Sequence, residues 1–343
     1  MKFLVSTSYR TTGRSAIWSL DTDHWKLDLF REDQYYEAGE KLKDYIYFGM
    51  DLYGDRIYCV GGNVLSILDL DGNVVERLVE PLLRDAHDLK VVDARILCTN
   101  TGHDSIEIFS AALGRLESIC IKDLPCFRGM NLVPKSSQSP DSLHLNFITE
   151  RDGSVWLTHS FASVRDPLRA ASIMAKQILS VLGMRTHRAY GMVRRSMIGR
   201  VLDAGGICTL EGTRIIGDIH GAHDGVFFED KFYVNSTYNI ETLVYDQDFR
   251  LERRVPFDVG MILRGLYPID ESTLLLGATY VDSKRSGSSI YSRVLKARGS
   301  KRFDDQTSLK VVDIGSGQTL ETIPFEPYQG VHPEIYKIIL LTQ

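Results

Sequence analysis

AHDGVFFEDKFYVNST (222–237) is the stretch that decides the fold: a polar pair, a short apolar strand, a turn at Glu229-Asp230, and a second strand ending in small polar residues. The phrase returns along the chain. Met50-Asp51-Leu52-Tyr53 precedes Arg56-Ile57-Tyr58-Cys59-Val60, and AHDLKVVDARILCTNTG (86–102) repeats it with the same opening. Looser copies run from His144-Leu145-Asn146-Phe147 to Val155-Trp156-Leu157-Thr158 and from Arg264-Gly265-Leu266-Tyr267 to Thr273-Leu274-Leu275-Leu276-Gly277. A second strand pair follows most copies, such as Leu65-Ser66-Ile67-Leu68 and Val74-Val75-Glu76-Arg77-Leu78 around the turn Asp71-Gly72-Asn73. Gly and Asn accept positive φ there, which makes the turn a hairpin signal. A repeat with four short strands is the mark of a propeller blade.

The two ends complete the count. Val331-His332-Pro333-Glu334-Ile335-Tyr336 reads as a sixth first strand with no partners after it, while residues 2–29 supply three strands with no first strand before them. Pairing the two closes the ring and removes the exposed sheet edge an open array would leave. The expectation is therefore an all-β protein, a six-bladed β-propeller closed by its N- and C-terminal strands and forming a single domain over 1–343. Blade starts are unevenly spaced, with 37 residues from Met50 to His87 but 79 from His144 to His223. The surplus is predicted to be a basic helical insertion over 164–200, since Leu168, Ala171, Ile178, Leu179 and Leu182 recur at helical spacing among Arg165, Arg169, Lys176 and Arg185. Two further insertions, Asn131–Ser142 and Val281–Asp305, read as loops.

Composition narrows the function classes. With 43% hydrophobic and 25% charged residues the chain is an ordinary soluble globular protein. A net charge of −5 argues against nucleic acid as the partner, because that work needs a basic surface. No stretch approaches the length of a membrane span, and Met1–Gly13 lacks the apolar run of a secretion signal. Contact with an anionic membrane surface through 165–200 stays open. Five cysteines, an odd number with Cys59 and Cys98 inside strands, point to a reducing cytoplasm, although Cys120 and Cys126 are close enough in sequence to pair.

Chemistry is expected where the first strands open on the central channel. His87, His144, His223 and His332 read as occupants of one repeat position, with Arg264 in the fifth blade. Such histidines suit three roles: ligands to a divalent metal ion, acid or base groups for a bound substrate, or structural residues bonding a neighbouring blade. Asp88 and Asp224 follow two of them and are placed to orient a ring or contact substrate. Arg264 suits an anionic substrate group. Asn146, Asn100 and Asn235 complete the predicted substrate contacts, the last two within a ring of polar residues that ends the second strands: Ser6, Thr7, Asn100, Thr101, Thr158, His159, Asn235 and Ser236. No nucleophile elbow, phosphate-binding loop or dinucleotide fingerprint is present.

The two AHD phrases resemble the six-bladed propellers grouped around gluconolactonases, strictosidine-synthase-like proteins and NHL repeats. AHDGVFFEDKFYVNST followed by ILRGLYPIDESTLLLGATY (262–280) is also similar to an uncharacterised bacterial propeller family with a His-Asp strand start and, one blade later, an Arg-Gly-Leu start. The resemblance implies the fold over most of the chain. Gluconolactonase-like enzymes hold calcium with Glu, Asn and Asp in the channel, whereas this chain places histidines at several corresponding strand starts. The expected function is hydrolysis or elimination on a polar small molecule, such as a sugar derivative, in a histidine-lined channel. The alternatives are a non-catalytic propeller binding a ligand or protein, and an accessory protein docked on an anionic membrane.

Overall fold

A computed structural model describes residues 1–9, 12–34, 47–128, 141–160, 204–237, 239–257, 262–280 and 306–342. The helical insertion expected over 164–200 and the loop expected over 281–305 lie outside the described residues, as does 131–142 apart from Asp141 and Ser142.

Strands β1 (Lys2–Tyr9), β2 (Arg14–Asp21) and β3 (Lys26–Gln34) open the chain. Five complete sheets follow in order: β4 (Gly49–Tyr53), β5 (Arg56–Gly61), β6 (Val64–Asp69) and β7 (Val74–Val79); then β8 (Ala86–Val92), β9 (Arg95–Asn100), β10 (Ser105–Ser110) and β11 (Arg115–Cys120). The next two are β12 (Leu145–Arg151), β13 (Ser154–His159), β14 (Ala204–Thr209) and β15 (Arg214–His220); then β16 (Ala222–Phe228), β17 (Lys231–Ser236), β18 (Glu241–Tyr245) and β19 (Leu251–Pro256). The last full sheet is β20 (Ile262–Pro268), β21 (Thr273–Thr279), β22 (Ser308–Asp313) and β23 (Thr319–Pro324), and β24 (Glu334–Thr342) ends the chain. Six four-stranded antiparallel sheets result, and the sixth has the order β24-β1-β2-β3. The closure expected from the termini is present, with β24 pairing β1 from Glu334↔Ser8 to Lys2↔Thr342.

Burial falls from the axis outward, as a radial array requires. Strand β1 is buried at seven of eight positions, whereas β11 is exposed at five of six. Six hydrophobic clusters fill the six gaps between blades. One joins Val60, Leu65 and Ile67 to Leu89, Ile96 and Phe109 of the following blade; the cluster across the closure joins Phe3, Val5 and Leu20 to Leu275, Leu309 and Val311. The Asp71-Gly72-Asn73 turn forms as expected: Gly72 has φ +83°, and Asp69 Oδ1 accepts the backbone N–H groups of Asp71 and Asn73.

Inner strands of neighbouring blades splay apart and form no ladder, so their backbone groups need other partners. At five junctions a hydroxyl of one blade donates to a carbonyl at the start of the next inner strand. Ser6 bonds Phe48 O (2.6 Å), Thr101 bonds Leu145 O, Ser160 bonds Ala222 O (2.8 Å), Thr237 bonds Leu263 O (3.1 Å) and Thr307 bonds Pro333 O (2.7 Å). The sixth junction uses backbone alone, Ala86 N–H to Gly62 O at 3.0 Å. Carboxylates serve the N–H groups a step further along: Asp51 accepts Val91 N–H, Asp88 accepts Ile148 N–H and Asp224 accepts Gly265 N–H. Thr237→Val is expected to destabilise the fold by about 1–3 kcal/mol, the usual cost of leaving a buried carbonyl unpaired. Urea denaturation measures it, and no loss would mean that the apolar interfaces alone hold the blades together.

Candidate functional site at the channel mouth

The junction bonds give a ruler for comparing blades. Phe48, Ala86, Leu145, Ala222, Leu263 and Pro333 are equivalent, and the residues after them are Gly49, His87, Asn146, His223, Arg264 and Glu334. The four histidines therefore do not share one repeat position, as the sequence suggested. His87 and His223 share one, together with Asn146, Arg264 and Glu334. His144 and His332 stand one residue before the bonded carbonyl. The reason is local: in Ala-His-Asp the alanine takes the junction bond, whereas in His-Leu-Asn-Phe the leucine takes it.

β-Bulges turn these residues out of the ladder. Pairing slips between Ala86 and Leu89, Leu145 and Phe147, His223 and Val226, and Leu263 and Leu266. A bulge leaves an extra residue unpaired and re-aims its side chain. Gly277 makes room for one of them, since a Cβ there would lie 2.0 Å from the Arg264 carbonyl oxygen.

The side chains so placed form a continuous band. The rings of His87 and His144 meet edge to face with centroids 5.0 Å apart, and His87 also meets Phe48 at 5.5 Å. Phe48 stacks on Tyr336 at 3.9 Å, and the Arg264 guanidinium lies 5.0 Å from the Tyr336 ring centre. Tyr336 Oη donates to Glu334 Oε2 (2.8 Å), which is also 3.5 Å from Arg264 Nη1. His223 completes the group: its charge state is coupled to Arg264 and His144, and that of His87 to all three. The structure thus gathers His87, His144, His223 and Arg264, and sets the His332 ring against Tyr280 at 4.6 Å.

Charge is managed unevenly in this group. Burial pushes His87 down to about 3, the neighbouring Asp85 opposing and His144, Arg264 and His223 adding to the effect. Burial likewise lowers His223, against the pull of Asp224. Both rings are neutral at neutral pH. Asp224 Oδ1 is 3.5 Å from His223 Nδ1, too poorly placed for a hydrogen bond, and among the described residues neither ring nitrogen of His223 has a hydrogen-bond partner; the same holds for His87 Nδ1 and for the buried Asn146 Oδ1. His144 differs. It stands at φ +51° with Nδ1 3.0 Å from Asp141 Oδ1, and Asp141 is itself buried. The backbone of this segment is pinned by buried Asp104, whose carboxylate accepts the N–H groups of Ser142 and Leu143. A carboxylate on Nδ1 leaves Nε2 as the basic nitrogen of a neutral ring, the arrangement of a general base.

Beneath the mouth a buried ion pair crosses the channel. Lys337 Nζ lies 2.9 and 2.8 Å from the two oxygens of Asp88 and 3.4 Å from the Phe147 ring centre. Past it a cavity of about 260 Å³, lined by Asp51, Lys90, Thr149, Tyr267 and Ile339 among others, runs down the axis. Asp88 and Asp224 are consequently committed to holding neighbouring strands. Asn100 is equally occupied, by Arg84 N–H, Leu82 O and Glu107, and Asn235 bonds Asp224 and Thr242. Sequence reasoning passed over Phe48, Asp141, Glu334, Tyr336 and Lys337. Asp141, three residues before His144, was the one with a readable signal.

Among the described residues no group of three or more His, Cys, Asp or Glu side chains is arranged to hold a metal ion. No described helix is long and apolar enough to cross a membrane.

The fold is shared with known structures. A protein of unknown function from Bacteroides caccae is 10% identical, with a TM-score of 0.57 over 98% of this chain and 97% of that one. The nidogen/laminin complex aligns at 12% identity and a TM-score of 0.55 over 99% of both chains. Virginiamycin B lyase from Staphylococcus aureus aligns at 12% identity and a TM-score of 0.44, over 86% of this chain and 77% of that one. At such identities the first two likenesses bear on the fold alone, whose six blades are those of the sheets described above. No protein-family model matches the chain, and no curated protein matches it in sequence.

The buried charge states set a pH dependence. A histidine held neutral stabilises the fold above its ordinary value of about 6.5, and that stability is lost as pH falls toward the folded value. Asp88 acts in reverse: burial raises it to about 6 against the pull of Lys337, so its contribution is fullest below about 3.8 and is lost as pH rises through 6. His87→Gln is expected to shrink the acid-induced loss of unfolding free energy between about pH 7.5 and 5.5, by up to about 1.4 kcal/mol per pH unit in urea denaturation, with the Asp88 effect common to both proteins. An unchanged acid sensitivity would mean that His87 protonates in the folded protein.

Proposed function

We propose that the protein is a propeller enzyme that binds a hydroxylated anionic small molecule at the channel mouth and moves a proton on it, in a hydrolysis or an elimination. The observation that carries this reading is the set of buried hydrogen-bonding atoms with no partner among the described residues: both ring nitrogens of His223, His87 Nδ1 and Asn146 Oδ1. Leaving such groups unsatisfied costs about 1–3 kcal/mol each, so they are built for something that arrives from outside. Neutral imidazoles offer one donor and one acceptor apiece, which suits hydroxyl groups. Arg264 receives the anionic group, with Glu334 and Tyr336 holding the guanidinium in place. His144, oriented by Asp141, takes the proton.

The reading is metal-free. The positive charge of Arg264 bears on both His87 and His223 and would oppose a second cation beside them.

Thermal shift against a panel of uronates, aldonates and their lactones, followed by proton NMR of the mixtures, tests the proposal. Wild type is expected to gain Tm with at least one member and to convert it to a ring-opened or unsaturated product. His223→Ala should lose the shift. His144→Ala should keep the shift and lose turnover at least about 100-fold, the usual contribution of a general base. Binding without turnover would support a non-catalytic ligand-binding propeller instead. A divalent ion that copurifies with wild type and is absent from His87→Ala and His223→Ala would replace the acid–base reading with a metal-centred one.

A further inference from the structure

Away from the channel, the turn after β11 lies directly on the following blade. Pro125 meets the β14–β15 hairpin so closely that a Cβ on Gly212 would be 2.2 Å from its Cδ. Phe127 packs its ring on His159 at 5.1 Å. Between them, Cys126 packs into the cluster that holds Cys208, and each thiol shifts the charge state of the other. The remaining cysteines stand elsewhere. Cys59 and Cys98 are buried in two other blade interfaces, and Cys120 is exposed at the end of β11. The cysteine that shares a cluster with Cys126 is thus 82 positions away in the next blade, whereas the sequence left open a pairing with the nearby Cys120.

We propose that Cys126 and Cys208 are a disulfide-forming pair, a modification site that takes a low-molecular-weight disulfide such as glutathione disulfide as oxidant and ties two neighbouring blades together. The two thiols differ in the way such chemistry needs. Cys126 is partly exposed, and the neighbouring Cys208 and Arg214 hold its thiol below the ordinary value. Cys208 is buried in β14, and the neighbouring Cys126 together with burial keeps its proton on. Cys126 as thiolate attacks one sulfur of glutathione disulfide; the S–S bond breaks, one glutathione thiolate leaves, and a mixed disulfide forms at Cys126. The sulfur of Cys208 then attacks Cys126 Sγ, its proton passing to the second glutathione as that leaves. Two electrons move from the cysteine pair to one glutathione disulfide, which becomes two thiols.

The test uses the folded full-length chain with glutathione disulfide, followed by thiol titration after denaturation and peptide mapping without reductant. The five thiols should fall by two, the map should show the Cys126 peptide joined to the Cys208 peptide, and dithiothreitol should restore all five. Cys208→Ser should stop at a stable mixed disulfide on Cys126, and Cys126→Ser should leave Cys208 unmodified. Should Cys208→Ser fail to fold, the wild-type map alone decides. A stable mixed disulfide at Cys126 in wild type, a bond from Cys126 to Cys120, or an intact pair beside a modified Cys120 would each overturn the proposal.

Discussion

Six sheets radiating from one axis cannot pair with one another along their inner strands, and the rest of this structure follows from how that constraint is met. Each inner strand begins with backbone groups that have no ladder partner on the adjoining blade. Hydroxyls of Ser6, Thr101, Ser160, Thr237 and Thr307 take the carbonyls, and carboxylates of Asp51, Asp88 and Asp224 take N–H groups. Wherever these bonds fix a strand start, the next residue is forced toward the axis. The mouth of the channel is lined by His87, Asn146, His223, Arg264 and Glu334 because the junctions put them there.

The same arrangement separates structural from chemical polar groups. Asp88 and Asp224 lie beside His87 and His223 in sequence yet have full sets of partners in neighbouring strands. The imidazoles keep unsatisfied nitrogens. Burial without partners makes them neutral, and neutral rings discriminate by hydrogen-bond geometry rather than by charge. The charged residues at the mouth are then few and placed: Arg264 against Glu334, with Tyr336 beneath the guanidinium.

Much of the fold was legible because blade phrases repeat and because the two chain ends each lacked what the other had. The polar residues ending the second strands were also visible, Ser6 and Thr101 among them, although their role as junction donors needs the neighbouring blade to be seen. The site was legible in its residue types and misread in its register. His144 looks like His87 and His223 in a linear alignment, but it precedes the junction-bonded Leu145, whereas His87 and His223 follow the bonded alanines. The shared cluster of Cys126 and Cys208 was out of reach for a different reason, since it depends on where an irregular connection returns to the sheet.

The central claim is that buried, neutral imidazoles at the channel mouth await a ligand. Proton–nitrogen correlation NMR of the histidine side chains, followed from about pH 8 down to 5 with His87→Gln and His223→Gln for assignment, tests it most directly. His87 is expected to remain neutral across that range, and His223 to titrate below the ordinary imidazole value. If both instead titrate near the ordinary value of about 6.5, the mouth is open to water and the account of a built, unsatisfied site is wrong.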